Sequence, residues 1–313
     1  MPFAFINGRF VPESEAVVSV LDRSFLYGDG VFETLYAQAG KPFRLDAHLD
    51  RLWQGAALLN LRVPLSRAEL AAAAQHLLEL NPSPCAKTAT RTGKMSRTGH
   101  FTRSEEPGSH PAPVALLRLT LSRGVGLRGY SPRGADQPTL VITQHAATPP
   151  PVEPPRWRLH TASFRLPAGD RLAAIKSGNK LVQILARAEA EAAGADEAIL
   201  LNTDGFAVEA AAGNLFYLQD GVVCTPPVAS GVLPGVTRSV VLELCRAASL
   251  PTREAAPLPA ELARAQGLFV TLSTLGIVPA ASLDGQLLGD SPVTARLRAA
   301  YWDRVDRECG NRG

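Results

Sequence analysis

Alternating apolar and polar residues predict β-strands in the first part of the chain. "FAFINGRFVP" (3–12) alternates around Asn7-Gly8, a dipeptide that favours a tight β-hairpin. "GVFETLYAQAGKPFRL" (30–45) repeats the pattern, with a turn near residues 40–42. "VALLRLTLSRG" (114–124) and "TLVITQHAA" (139–147) add two further strands. This part of the chain therefore contains a sheet.

Two segments between these strands have apolar residues at helical spacing. "DAHLDRLWQGAALLNL" (46–61) predicts a helix with Asp46 as its N-cap, because a carboxylate there can accept from free backbone N–H groups. Residues 66–80 predict a second helix, rich in Ala and Leu. Helices and strands thus occur together in this half.

The second half mixes buried strands with amphipathic helices. The strands are "EAILLN", "NLFYLQ" and "GLFVTLS"; the helices are "KLVQILARAEAEAAG" and "VTRSVVLELCRAA". Proline-rich "ATPPPVEPP" (147–155) separates the two halves as an extended linker. We therefore predict the α/β (α+β) class: a small N-terminal α/β domain over 1–146, a linker over 147–156, and a larger C-terminal α/β domain over 157–313.

Residues 82–112 interrupt the first half with almost no large apolar side chains. The segment instead carries five basic residues: Lys87, Arg91, Lys94, Arg97 and Arg103. This composition cannot bury enough surface to offset the entropy lost on ordering, so it predicts a disordered insertion. A basic loop could contact phosphate-rich partners, but a solvated loop is favoured.

The composition is that of a globular protein and excludes several classes of function. The 313 residues are 46% hydrophobic and 19% charged, with a net charge of +3 that is too small to indicate nucleic acid as the main partner. No apolar run reaches the length of a membrane span, and no signal-peptide pattern opens the chain. Cys85, Cys224, Cys245 and Cys309 lack metal-ligand spacing, so no metal is predicted. We expect reduced thiols in a cytoplasmic protein.

Lysine is rare in this chain, and its placement in "LAAIKSGNKL" is a chemical signal. Only five of the 32 basic residues are lysines, and Lys176 follows four largely apolar residues. A partly buried Lys can lose its proton and act as a nucleophile, whereas Arg cannot. A snorkelling or ion-paired lysine at a helix start is the alternative interpretation, and position alone favours it.

Other segments would each have a binding role if the chain holds a phosphorylated aldehyde cofactor. Glu209, in "GFAVEAAAGNLF", could keep a pyridine nitrogen protonated, although a surface turn carboxylate is equally compatible. "GVLPGVTRSVVLEL" leads through glycine into a helix at Val236, and a helix start is an anion site. Arg51 could grip a phosphate with its planar fork, and Ser273 and Thr274 end a buried strand. Each signal alone is weak.

Taken in order, these motifs resemble the class IV (fold-type IV) pyridoxal-phosphate enzymes. The resemblance is carried by "YGDGVFETL", "HLDRL", "SRGVGLRGY", "IKSGNKL", "ADEAILLNTDGFAVEAAAGNLFYL", "GVLPGVTR" and "FVTLST". It spans residues 5–285 apart from the insertion. It implies two domains with pyridoxal 5′-phosphate (PLP) between them, and a homodimer. It also implies Lys176 as the Schiff-base lysine.

The resemblance further implies a role for individual side chains. Arg51, the backbone of Val236 and Thr237, and Ser273 would bind the cofactor phosphate, with Thr274 beside them. Glu209 would hold the pyridine nitrogen. The substrate, a small amino-bearing molecule, would meet four residues: Tyr27, Phe32, Arg128 and Tyr130.

The resemblance leaves three activities open. "SRGVGLRGYSP" is most similar to 4-amino-4-deoxychorismate lyases, whose corresponding stretch has Ser-Arg-Gly followed by Arg-Gly-Tyr. D-amino-acid aminotransferases carry Arg-x-His there, so Tyr130 departs from them. Branched-chain aminotransferases usually have Arg where this chain has Tyr36, and tend to have Tyr where it has Leu181. We favour the lyase, with an aminotransferase using 2-oxoglutarate as the alternative and a non-catalytic relative as the third.

Overall fold

The computed structural model describes residues 1–82, 112–151 and 153–310. The predicted insertion lies outside the described residues apart from its two end residues, as does Cys85. Its predicted disorder therefore stays a prediction.

The first half of the chain folds into one antiparallel sheet with three helices. Its elements are β1 (Phe3–Ile6), β2 (Arg9–Pro12), α1 (Arg23–Tyr27), β3 (Gly30–Gln38), β4 (Lys41–Pro42), α2 (Leu45–Leu58), α3 (Arg67–Leu80), β5 (Val114–Ser122) and β6 (Thr139–Ala146). The strand order is β2-β1-β6-β5-β3-β4. The hairpin predicted at Asn7-Gly8 is confirmed, with both residues at positive φ as a tight hairpin turn requires.

The second half forms a nine-stranded mixed sheet with four helices. Its elements are β7 (Trp157–Leu166), α4 (Leu181–Ala192), β8 (Glu197–Asn202), β9 (Ala207–Ala210), β10 (Asn214–Gln219), β11 (Val222–Thr225), α5 (Val236–Ala247), β12 (Thr252–Glu254), α6 (Pro259–Leu262), β13 (Gly267–Leu272), β14 (Gly276–Leu283), β15 (Gln286–Leu287) and α7 (Pro292–Cys309). Strands β10, β13, β14, β7, β8 and β9 form a closed ring, because β9 also pairs with β10. The predicted α/β class is confirmed.

Strand alternation decides which face of the first sheet is buried. Leu117, Leu119 and Leu121 of β5 are fully buried and pack with apolar residues of α2 and α3. The intervening residues of β5 share the opposite face with Phe32 of β3. Through Phe32, that opposite face borders the main cavity described below.

The two predicted helix starts in the first half differ in outcome. Ser66 caps α3 as a capping box with Glu69, which agrees with the predicted start. The prediction of Asp46 as the N-cap of α2 is wrong, because Asp46 lies inside the first turn. Arg44 is the N-cap instead and adopts a left-handed conformation at φ 55. Its guanidinium reaches Glu243 of α5 and Glu308 of α7.

Helix α7, which the sequence analysis did not predict, joins the two sheets. Tyr301 on α7 packs against Phe43, and its neighbour Trp302 packs against Tyr36. Both belong to an apolar cluster that also includes residues of β10, β13 and α5. Gly276 at the start of β14 has φ +67, and a Cβ there would lie 2.6 Å from the Tyr301 ring. The sheets thus share buried contacts, while their division into two domains stays a prediction.

Within the described ranges, no helix is long and apolar enough to cross a bilayer. Cys224, Cys245 and Cys309 are buried free thiols. Residues 1–82, 112–151 and 153–310 also hold no cluster of three or more His, Cys, Asp or Glu side chains arranged for a metal ion.

Candidate functional site

Lys176 lies on a segment that pairs with the start of β3. The Phe32 N–H donates to the Lys176 carbonyl at 2.9 Å, and the Gly178 N–H donates to the Gly30 carbonyl at 3.0 Å. Val31 and Ser177 form a β-bridge between them. These backbone contacts fix Lys176 against the edge of the first sheet, while α4, the helix that follows it, packs on the second.

The surroundings of the Lys176 amine lower its pKa, so that part of it is unprotonated near neutral pH. Its Nζ lies 4.6 Å from the centroid of the Phe32 ring. Burial, and then the nearby positive charge of Arg51, lower the pKa of Lys176 to about 8. No ion pair among the described residues involves Lys176, so the ion-paired interpretation of this lysine loses its support. The amine has the properties of a nucleophile.

A buried carboxylate holds Arg51. Glu33 on β3 accepts from Arg51 Nε at 2.8 Å and Nη2 at 2.6 Å, and from His48 Nδ1 at 2.7 Å. Burial alone would raise the pKa of Glu33, but the hydrogen bonds and charges of Arg51 and His48 outweigh it and lower that pKa to about 2. Burial lowers the pKa of His48 despite the carboxylate beside it. Glu33 is therefore ionised and Arg51 is fixed in orientation.

Arg51 keeps donors free for a ligand. Its Nη1 donates to the Pro234 carbonyl at 3.1 Å, so three of the five N–H groups have partners in these contacts. The remaining donors sit on the Nη1 and Nη2 nitrogens, and Arg51 borders the main cavity. An anion in that cavity would meet a preoriented guanidinium.

The main cavity lies between the two sheets and has a volume of about 730 Å³. Such a volume accommodates a cofactor together with a small substrate. Among the described residues, those of the site that border it are Phe32, Arg51, Lys176, Lys180, Glu209, Asn214, Leu233, Gly235, Val236, Thr237, Thr271 and Ser273. Seven of these are predicted site residues, which the fold brings to one place.

One end of the cavity is built for an anion. Val236 and Thr237 begin α5, whose first N–H groups have no partner within the helix. Its N-cap is Gly235, where a Cβ would lie 1.9 Å from the Asn214 side-chain oxygen. Ser273 borders the same cavity. Thr271 Oγ1 is buried there without a hydrogen-bond partner among the described residues. An anionic group would supply the missing partner.

Glu209 borders the cavity elsewhere, on β9. Its Oε2 accepts from the Leu233 N–H at 3.3 Å. Burial raises the pKa of Glu209, and the charge of Lys180 opposes the increase. A carboxylate of raised basicity can hold a proton on a ring nitrogen. The amine, the carboxylate and the anion end all border one cavity, and these groups fit PLP.

The structure does not bring every predicted substrate residue to this cavity. Phe32 borders it, whereas Tyr27 and Tyr130 border an adjoining cavity of about 310 Å³ that shares Leu172, Ser177 and Asn179 with the main one. Arg128 is exposed on the loop before Tyr130. Thr274 is half-buried in the turn after Ser273 and does not border the main cavity.

Sequence reasoning missed the support around Arg51. Glu33 and His48 were assigned no role, although both lie inside the motifs that carried the resemblance. A signal was present for Glu33, because it is a lone carboxylate on a strand between Val31 and Leu35, which share its face and are apolar. Thr271 left no comparable signal, since a threonine is ordinary in a strand.

The family described as amino-transferase class IV matches residues 30–283 of this chain. A relative from Methanocaldococcus jannaschii, named "Putative branched-chain-amino-acid aminotransferase", is 34% identical over 96% of this chain and 95% of its own. The Bacillus subtilis protein named "Aminodeoxychorismate lyase" is 27% identical over 99% of this chain and 97% of its own.

A solved structure is similar over almost the whole chain. The T.th. branched-chain amino acid aminotransferase, determined with pyridoxamine 5′-phosphate, superposes with a TM-score of 0.82 at 28% identity. The match covers 97% of this chain and 94% of that one. Its bound molecule is a form of the cofactor that the cavity fits.

The buried Glu33 carboxylate predicts a specific pH dependence of stability. Its pKa falls from 4.5 to about 2 on folding, so ionised Glu33 contributes stability above pH 4.5 that is lost as the pH falls towards 2. We expect Glu33→Gln to lower the free energy of unfolding by about 3 kcal/mol at pH 7. Urea unfolding at pH 7, 5 and 3 measures it.

The difference between wild type and Glu33→Gln should shrink as the pH falls to 3. Exposed Glu13, replaced by Gln, is the matched control and should change unfolding by a few tenths of a kcal/mol at most. A Glu33→Gln deficit that is the same at every pH would contradict the ionised pair.

Proposed function

The chain belongs to the class IV aminotransferase family, whose enzymes use PLP, and from this premise we propose that it is a 4-amino-4-deoxychorismate lyase. The reaction converts 4-amino-4-deoxychorismate into 4-aminobenzoate and pyruvate, a step of folate biosynthesis. No second substrate enters and no net oxidation or reduction occurs. Formation of the aromatic ring supplies a driving force that transamination lacks.

The observation that carries the lyase proposal is the segment "SRGVGLRGY". Its Ser-Arg-Gly and Arg-Gly-Tyr elements are those of lyases, and a named lyase aligns over 99% of the chain. Two positions weigh against a branched-chain aminotransferase. Tyr36, where those enzymes usually have Arg, is buried against Trp302. Leu181, where they tend to have Tyr, is exposed.

Two side chains would handle protons in this reaction. When bound, PLP supplies an electron sink for the bond that breaks at the substrate. The Lys176 amine would first attach the cofactor and, once released, take the proton from C4 of the substrate, which requires its neutral form. Glu209 would hold the proton on the ring nitrogen. The low pKa of Lys176 and the raised pKa of Glu209 support these assignments.

The remaining cofactor contacts would hold the phosphate. Arg51 offers its free N–H donors, Val236 and Thr237 offer backbone N–H groups at the α5 start, and Ser273 offers a hydroxyl. Thr274 follows Ser273 in the same turn and would contribute to phosphate binding by holding Ser273 in position.

Phe32 would line the substrate side of the cofactor in the same chain, whereas Arg128 and Tyr130 would act across a homodimer interface. Both are exposed here, away from the main cavity, and Arg128 would grip a substrate carboxylate. Exposed apolar side chains on this loop, on α1 and on the segment before α1 support a second copy as partner: Leu127, Phe25, Val17, Val20 and Leu21. Sedimentation of the active enzyme as a single chain would contradict the homodimer.

An aminotransferase acting on branched-chain or D-amino acids with 2-oxoglutarate is the second candidate. The observation that favours it is the relative at 34% identity, which is named as an aminotransferase. Both reactions need the same lysine, carboxylate and phosphate contacts. The substrate therefore separates them.

We expect Lys176 to be the residue that attaches the cofactor. Protein incubated with PLP and then reduced with borohydride should carry the cofactor covalently on Lys176, and Lys176→Ala should abolish this adduct. Lys180→Ala is the matched control, because Lys180 borders the same cavity four residues away. Mass spectrometry of peptides locates the adduct. An adduct retained in Lys176→Ala would contradict the assignment.

The rate at which PLP attaches to Lys176 of the apoprotein should rise with pH and level off above about pH 8. The reason is that only the neutral amine attacks and the pKa of Lys176 is about 8. Absorbance after mixing with PLP at a series of pH values measures the rate. A rate that still rises in proportion to hydroxide above about pH 9 would contradict a lowered pKa.

The reaction itself is tested by its products. Purified protein given 4-amino-4-deoxychorismate alone should form 4-aminobenzoate and pyruvate in equal amounts, with no oxo-acid present. Lys176→Ala purified in parallel is the control for contaminating activity. Chromatography quantifies both products. If activity instead requires 2-oxoglutarate and an amino acid and forms glutamate, the aminotransferase is correct.

A further inference from the structure

Arg23 is a buried arginine outside the main cavity that binds one short loop. Its Nη1 donates to the carbonyls of Gly129 at 2.9 Å and Ser131 at 3.1 Å, and its Nη2 donates to the carbonyl of Tyr130 at 3.2 Å. Three successive loop carbonyls thus receive donors from one planar group. The side chain is 5% exposed, although the loop it binds lies on the surface.

The two ends of α1 each fix the loop at one further point. The Arg23 N–H donates to the Gly124 carbonyl at 2.9 Å, and the Gly129 N–H donates to Tyr27 Oη at 3.2 Å. The Tyr27 ring packs edge-on against Tyr130 at 5.6 Å. Residues 124–131, which we name the recognition loop, are therefore held at both ends by the segment before β3.

Asp29 completes this arrangement by orienting Arg23. Its Oδ2 accepts from Arg23 Nε and from Arg123 Nε, each at 2.8 Å. Burial would raise the pKa of Asp29, but Arg123 and Arg23 outweigh it and hold that pKa below its usual range. Arg123 Nη2 also donates to the Leu59 carbonyl at 2.7 Å, which connects the group to the end of α2.

The segment that holds the recognition loop also contacts the lysine segment. Gly28 lies so close to Asn179 that a Cβ on it would be 2.3 Å from the Asn179 side-chain oxygen. Gly30, two residues on, accepts from the Gly178 N–H at 3.0 Å. Residues 22–30 are thus a common frame for the loop and for the segment of Lys176.

We propose that Arg23 is a positioning residue for substrate binding. It holds the recognition loop, which carries Arg128 and Tyr130, in the conformation that binds the substrate. Only a planar fork can serve three successive carbonyls and Asp29 together, and a lysine ammonium cannot reproduce that geometry. Because Arg23 touches neither the main cavity nor Lys176, its loss should affect binding of the substrate rather than of the cofactor. This inference rests on the proposed function where it assigns Arg128 to the substrate.

The test compares Arg23→Met and Arg23→Lys with wild type in the full-length, cofactor-loaded protein. We expect KM for 4-amino-4-deoxychorismate to rise roughly tenfold or more in Arg23→Met, with kcat and the Kd for PLP changed by less than about twofold. Arg23→Lys should recover part of the loss. Arg133→Met, at an exposed position two residues beyond the recognition loop, is the matched control and should leave KM unchanged.

Folding should survive these substitutions, and hydrogen exchange provides a second measurement. Asp29 keeps Arg123 as its partner in Arg23→Met, and water can reach the exposed loop carbonyls. The amides of residues 124–131 should exchange faster in Arg23→Met and in Arg23→Lys, whereas those of residues 176–178 should not. Unchanged exchange in the loop, or a fall in kcat with KM constant, would overturn the proposal.

A double substitution separates this proposal from the proposed function. If Arg23 acts through Arg128, the KM of Arg23→Met/Arg128→Ala should match that of Arg128→Ala within about twofold. Additive effects would overturn the proposal. If Arg128→Ala alone leaves KM unchanged, the assignment of Arg128 to the substrate has failed. Faster exchange in the loop of Arg23→Met would then still support Arg23 as its positioning residue.

Discussion

The buried carboxylate of Glu33 is the constraint on which the site depends. An ionised group in the interior of a sheet requires charged partners at hydrogen-bond distance, and Arg51 and His48 of α2 supply them. That requirement sets the position of α2 against β3. It also leaves the Arg51 guanidinium at the cavity with N–H donors that have no partner in the contacts described. The opposite face of β3 carries Phe32, against which the Lys176 amine lies.

Strand β3 is therefore the element that the two halves of the site share. Its first residues pair with the lysine segment, its Glu33 holds Arg51, and its far end meets the aromatic side chains of α7. Gly276 illustrates how firmly α7 is packed, since the Tyr301 ring occupies the space of a Cβ.

Much of the fold and the cavity could be predicted from the sequence, for identifiable reasons. Strands with strict alternation and the Ser66 cap have local signals, and the order of motifs placed Lys176, Arg51 and Glu209 around one cofactor. The Asp46 cap failed because the conformation of Arg44, which binds distant helices, sets the helix start. Helix α7 had a signal at Leu297, Tyr301 and Val305, which are apolar and spaced by four in a segment rich in Arg and Asp.

The contacts that sequence reasoning could not supply are those between distant segments, and they include the electrostatic influence of Arg51 on Lys176. Burial, and after it the charge of Arg51, lowers the pKa of Lys176, while Glu33 offsets only part of this effect. A phosphate bound to Arg51 would neutralise more of that charge and raise the pKa of the amine. The same arginine would thus favour the neutral, nucleophilic form of Lys176 before the cofactor arrives, which is when attachment requires that form.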